Sequence, residues 1–180
     1  MHRNNLLQKL RTYHPADTHE MSMHQRIIEF VETQPECFER TLLIGHITAS
    51  ALIVNRQRTH TLMTHHHKLE KWLQLGGHSD GDPDPLNVAL REAEEESGIK
   101  GIIPVSKDIF DVDVHPIPAR KNEPEHFHYD IRFLFEANDS HELTITAESK
   151  DLAWIPLYTI ENYTTEESIL RMVRKLQASK

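Results

Sequence analysis

Arg91-Glu92-Ala93-Glu94-Glu95-Glu96-Ser97-Gly98-Ile99 is the stretch that decides this chain. Glu92, Glu95 and Glu96 stand at i, i+3 and i+4, so a helix through them carries three carboxylates on one face. Leu86, Ala89, Leu90 and Ala93 form an apolar stripe beside that face. Asp84 is placed to cap the helix, Pro85 to occupy its first position and Gly98 to end it. Such a helix packs on a sheet while aiming its carboxylates at one point. Like charges at this spacing repel by tenths of a kcal/mol per pair, and a divalent cation removes that cost. An all-oxygen donor set suits Mg²⁺ or Mn²⁺ rather than Zn²⁺. The bland alternative is a solvated acidic face.

The surroundings favour the cation. Counting from Gly77, thirteen residues precede Arg91. With that glycine the run resembles the Nudix box: Gly, five residues, Glu, seven residues, then Arg-Glu-aliphatic-x-Glu-Glu-x-Gly-aliphatic. Arg91, Glu92, Glu95, Glu96, Gly98 and Ile99 match, and Ala93 takes the aliphatic slot as a smaller residue. The strand-like His46–Asn55 (HITASALIVN), the approach Trp72-Leu73-Gln74-Leu75-Gly76-Gly77 and the segment Trp154-Ile155-Pro156-Leu157 also look like parts of a Nudix domain. The likeness departs from the pattern once: the first box Glu, which pairs with the box Arg, falls on Pro83. Asp82 or Asp84 flanks that gap and is a candidate replacement partner for Arg91.

The resemblance implies an α/β/α sandwich with a mixed sheet, spanning residues 43–180 behind an N-terminal helical extension of residues 1–42. It implies hydrolysis of a diphosphate linkage in a nucleoside-diphosphate-type small molecule, by attack of water at phosphorus. Glu92, Glu95 and Glu96, with the Gly76 carbonyl, would hold Mg²⁺ or Mn²⁺, and Arg91 would orient the carboxylates. In some members a late-loop Glu six residues before a strand-opening Trp acts as general base. Glu148 stands six before Trp154; it is either that base or a surface residue, and a box glutamate is the other candidate. Two rivals stay on the same fold. A non-catalytic nucleotide-sensing domain usually loses box glutamates that this chain keeps. An isopentenyl diphosphate isomerase-like enzyme needs a cysteine in the Gly76-Gly77-His78 turn, and the one cysteine is Cys37.

Fourteen histidines are the second feature. Alternation puts Asp111, Asp113 and His115 on one strand face, and His126, His128 and Asp130 on one face of another. A symmetric hairpin around a loop at 116–125 predicts His115 opposite His126, Asp113 opposite His128 and Asp111 opposite Asp130. Such a ladder is either a wet sheet face or a surface for substrate phosphate or an accessory metal, extended by His78. His65-His66-His67 alternates in direction along a strand and reads as structural.

The remaining expectations are coarse. At 180 residues, 38% hydrophobic and 27% charged, the chain fits one globular domain with a small extension. A formal charge of −8 argues against non-specific nucleic-acid binding. No apolar run suits a membrane span or signal peptide, and one cysteine allows no internal disulfide, which points to the cytoplasm. Helices are expected at 4–13 and 18–34, the second opened by Asp17-Thr18-His19-Glu20 as a capping box. They either cover the sheet or form a homodimer contact. Strands are expected at 46–55, 61–68, 71–75, 109–117, 126–135 and 152–156, a turn at 76–83 and a last amphipathic helix at 165–177.

Overall fold

The computed structural model describes residues 2–120, 123–147 and 149–178. Helices α1 (Asn4–Thr12) and α2 (Thr18–Thr33) precede strands β1 (Gly45–Asn55), β2 (His60–His66), β3 (Lys71–Leu73) and β4 (Leu75–His78). Then come α3 (Pro85–Ser97), β5 (Ile103–Pro104), β6 (Asp111–Ile117), β7 (His126–Ala137) and β8 (Ser149–Pro156). A short 3-10 helix at Leu157–Asn162 and α4 (Glu167–Ala178) close the chain.

One mixed sheet carries everything. β3-β2-β1-β7-β5 is its main path, with β4 on β1, β6 on β7 and β8 on β2. β1 and β7 run parallel, pairing His46 with His128 and Thr48 with Asp130, and the other pairs are antiparallel. The pleat of β1 sorts its side chains into two cores. Ile47, Ala49, Ala51 and Ile53 pack with Leu10 of α1, Ile27 and Phe30 of α2, and Val88, Ala89 and Ala93 of α3. Leu52 and Val54 pack on the other side with Ile169, Met172, Val173 and Leu176 of α4. Helices therefore cover both faces, the expected α/β/α sandwich. No helix of the described residues is long and apolar enough to cross a membrane.

The local signals for α3 act as anticipated. Asp84 Oδ1 accepts from Leu86 N at 3.1 Å, and Gly98 ends the helix at φ 73°. Asp17 caps α2, accepting from Glu20 N at 2.7 Å. Glu20 departs from a capping box. It is fully buried, accepts from Ala16 N at 2.6 Å and from Tyr13 Oη, and pairs with Lys175 of α4.

Two expectations need correction. Gly76-Gly77-His78 is not a turn: it is strand β4, antiparallel to Thr48–Ser50. The glycines serve close approach rather than chain reversal, because a Cβ on Gly76 would overlap Ser50 and one on Gly77 would overlap the Glu92 carboxylate. The strand expected at 71–75 breaks at Gln74, where the chain leaves β2 and joins β1.

The hairpin register is shifted by two residues. Ile117 pairs with His126, so His115 faces His128, Asp113 faces Asp130 and Asp111 faces Arg132. Pairing continues through Pro116 because, among the described residues, β6 pairs only with β7, and its outer edge needs no ladder donor. A shift of two keeps each side chain on its predicted face.

Candidate active site

β4 and α3 build the carboxylate cluster. Glu92 and Glu96 are half-buried, and Glu95 is exposed. Gly76 N donates to Glu96 Oε2 at 3.3 Å. The bare Gly77 leaves the space that the Glu92 carboxylate fills. Arg91 Nη2 donates to Glu92 Oε1 at 2.8 Å and to the His78 carbonyl at 3.1 Å. The hydrogen bond to Glu92 raises the Arg91 pKa further above its ordinary value. These two bonds hold Arg91 although Pro83 replaces the box Glu. Asp84 caps the helix instead of pairing with it, and Asp82 Oδ1 accepts from Asp84 N at 2.9 Å.

The donor set fits a hard divalent cation: three carboxylates on one helical face, oxygen donors throughout, beside a cradle that any Cβ at Gly77 would fill. Glu92, Glu95, Glu96 and the Gly76 carbonyl are the groups placed to hold it. Glu148, the other candidate base, lies outside the described residues.

The His/Asp ladder is not a wet face. Asp111, Asp113, Asp130 and Arg132 are all buried, at 0%, 8%, 3% and 2% exposure. Arg132 is paired with Asp130 at 2.7 Å, Asp113 at 3.2 Å and Asp111 at 3.5 Å. Arg171 of α4 adds a two-pronged contact to Asp111 at 2.9 and 2.7 Å, and Lys175 reaches it at 2.7 Å. Thr48 and Ser50 donate to the two oxygens of Asp130. Burial alone would raise the Asp113 pKa, but Arg132, His115 and Arg171 hold it down at about 2. Burial also opposes the charge on Asp111, and Arg171, Arg132 and Lys175 keep it below the usual range.

The other end of the same face is a cluster of histidines. His128 lies 4.9 Å from His46, 5.0 Å from His78, 5.3 Å from His126 and 5.5 Å from His115, measured between ring centroids. Burial, reinforced by the neighbouring imidazoles, lowers His128 to about 2 and His46 to about 4, and burial lowers His78. His115 Nδ1 donates to Asp113 Oδ2 at 3.0 Å, and His126 Nδ1 donates to the Pro124 carbonyl at 2.9 Å. Alternation puts His78 on the opposite side of β4 from Gly77 and its Glu92 contact. The two clusters therefore occupy consecutive residues of one strand.

The predicted Arg91, Glu92, Glu96 and Gly76 come together, with Glu95 on the same helix face. His78, His115, His126 and His128 form their own group. His46, within the aliphatic strand β1, and Arg132 and Arg171 are not among the residues expected at the site. A signal existed for the first two. His46, Thr48 and Ser50 form the polar phase of β1, and Arg132 continues the phase of His126, His128 and Asp130. Arg171 had no comparable signal, because amphipathic helices commonly carry an Arg on the solvent side.

Known proteins share the family and the fold. The NUDIX domain model matches residues 45–176. A probable DHNTP pyrophosphohydrolase of Lactococcus lactis subsp. cremoris (strain MG1363) is 29% identical over 131 residues, 71% of this chain and 71% of that protein. In fold, the chain is similar to a C. elegans Ap4A hydrolase, with TM-score 0.59 and 18% identity over 73% of this chain and 95% of that one. It is also similar to the E. coli dihydroneopterin triphosphate pyrophosphohydrolase, with TM-score 0.58 and 13% identity over 74% and 96% of the two chains. With the family model covering most of the chain, and the box helix, its glycines and its arginine in place, the chain belongs to the NUDIX domain family.

Proposed function

We propose that the chain is a Mg²⁺-dependent pyrophosphohydrolase that cleaves a diphosphate linkage in a nucleotide-type small molecule. The observation that carries this reading is the Glu92, Glu95 and Glu96 face held against Gly76 and Gly77 by Arg91. The Mg²⁺ or Mn²⁺ ion would supply charge neutralisation at the phosphate oxygens and raise the acidity of nearby water. The protein's own part is positional. Arg91 fixes the Glu92 carboxylate, Gly77 leaves it room and the Gly76 amide orients Glu96. Water forms a new bond to phosphorus, the bridging phosphorus–oxygen bond breaks, and one water proton passes to a carboxylate. An α3 glutamate or Glu148 takes that proton, and Glu148→Gln separates the two.

The names of the relatives point to dihydroneopterin triphosphate and dinucleoside polyphosphates as first substrates to try. A panel of nucleoside triphosphates, dinucleoside polyphosphates, nucleotide sugars and dihydroneopterin triphosphate, assayed for diphosphate cleavage with Mg²⁺ and again with excess EDTA, tests the reading. Turnover of at least one compound that EDTA abolishes supports it. Equal turnover in EDTA refutes the metal requirement, and no turnover of any compound favours a sensing domain.

A further inference from the structure

His46, His78 and His128 each offer one ring nitrogen, and the three atoms lie within 4.8 Å of one another. They come from three adjacent strands, β1, β4 and β7, whose hydrogen-bonded registers fix their separation. His46 is 3% exposed. Among the described residues, neither of its ring nitrogens has a hydrogen-bond partner, nor does Nε2 of His128. A buried polar atom left unpaired costs about 1–3 kcal/mol, so three strands are converging on groups whose bonding is incomplete. A metal ion completes it. Around a tetrahedral ion with nitrogens about 2.0–2.1 Å away, donor atoms stand roughly 3.3 Å apart. From a separation of 4.8 Å, each nitrogen need move inward by about 0.9 Å at most to reach that spacing.

We propose that His46, His78 and His128 bind one first-row transition-metal ion of the Zn²⁺ class, separate from the oxygen-ligand site on α3. Neutral imidazoles are borderline donors that suit Zn²⁺, Co²⁺ or Fe²⁺, whereas Mg²⁺ prefers oxygen. Three protein ligands leave a fourth position open, the pattern of reactive rather than purely structural zinc. His126 lies 5.1 Å from His46 between ring centroids, at the edge of this group. The Asp130 and Arg132 network lies next along the same face and fixes β7 against β1. The site does not depend on the chemistry assigned to α3.

The test is metal binding by the full, untagged chain after EDTA treatment and buffer exchange. Titration with Co²⁺, followed by its visible absorption, and with Zn²⁺, followed by melting temperature, should show one equivalent bound per chain. His128→Gln or His78→Gln should weaken binding by roughly 100-fold or more, beyond the loss typical of an outer hydrogen-bond partner. Glu95→Gln and His67→Gln should bind as wild type does, which separates this site from α3 and from the His65–His67 run. Each variant's melting temperature without metal confirms that it folds. His78→Gln, at a half-exposed position, decides the matter if His128→Gln does not fold. The proposal is overturned if the wild type binds no stoichiometric Co²⁺ or Zn²⁺, if His78→Gln binds undiminished, or if Glu95→Gln abolishes binding.

Discussion

Gly77 and Glu92 occupy one space: a Cβ on the glycine would fall on the carboxylate of the glutamate. The strand thus sets where the helix can place the Glu92 carboxylate. Gly77→Ala should push the Glu92 side chain away and loosen its bond from Arg91. Because Glu92 is the end of a flexible side chain, the fold should survive with a change of about 1 kcal/mol or less in stability, while kcat falls at least tenfold. Steady-state kinetics beside a melting curve separates the two. Full activity in the alanine variant would mean that Glu92 is not held at a catalytic position.

Asp113 carries a defined pH signature. Its pKa drops from 3.8 unfolded to about 2 in the fold, under Arg132 and His115. Its charge therefore contributes about 2 kcal/mol that is fully present above the unfolded value and lost as pH falls from 3.8 towards 2. Asp113→Asn should be less stable than wild type at pH 6 by about that amount. The two proteins should converge as the pH approaches 2. Urea unfolding at several pH values checks this, and a constant gap down to pH 2 would contradict it.

Glu20 ties the N-terminal helices to the rest of the molecule. Removing one partner from a buried ion network typically costs about 3–5 kcal/mol, and Glu20 is paired with Lys175 of α4 while receiving Ala16 N at 2.6 Å. Glu20→Ala should lose stability on that scale. We place residues 1–42 outside the catalytic centre, so the folded fraction should keep wild-type kcat at low temperature. A collapse of kcat without unfolding would bring the extension into the site.

The box helix was legible because its carboxylates, caps and periodicity lie within one local run, from Asp84 to Ile99. The fold followed from the box glycine's spacing and from alternation in β1, β6 and β7. The histidine site was only half legible. Its face was readable from alternation, which survives a two-residue slip, but its partners depend on register, and register depends on where the hairpin stops pairing. His46 needed the parallel pairing of β1 with β7, a contact across 82 residues of sequence that no local pattern encodes. The burial of Asp111 was hidden for a similar reason: its cover, Arg171, comes from the last helix.

The most direct measurement is kcat of Glu95→Gln on whichever diphosphate compound the wild type cleaves with Mg²⁺, beside both metal-free melting temperatures. Glu95 is exposed, and glutamine keeps its size and helix propensity. Loss of a metal-facing charge should lower kcat by roughly 100-fold or more, on the scale of losing one preorganised transition-state contact. The metal-free melting temperature should be unchanged or slightly higher, because one like-charge repulsion is gone. Undiminished kcat, or a large fall in metal-free stability, would contradict the account.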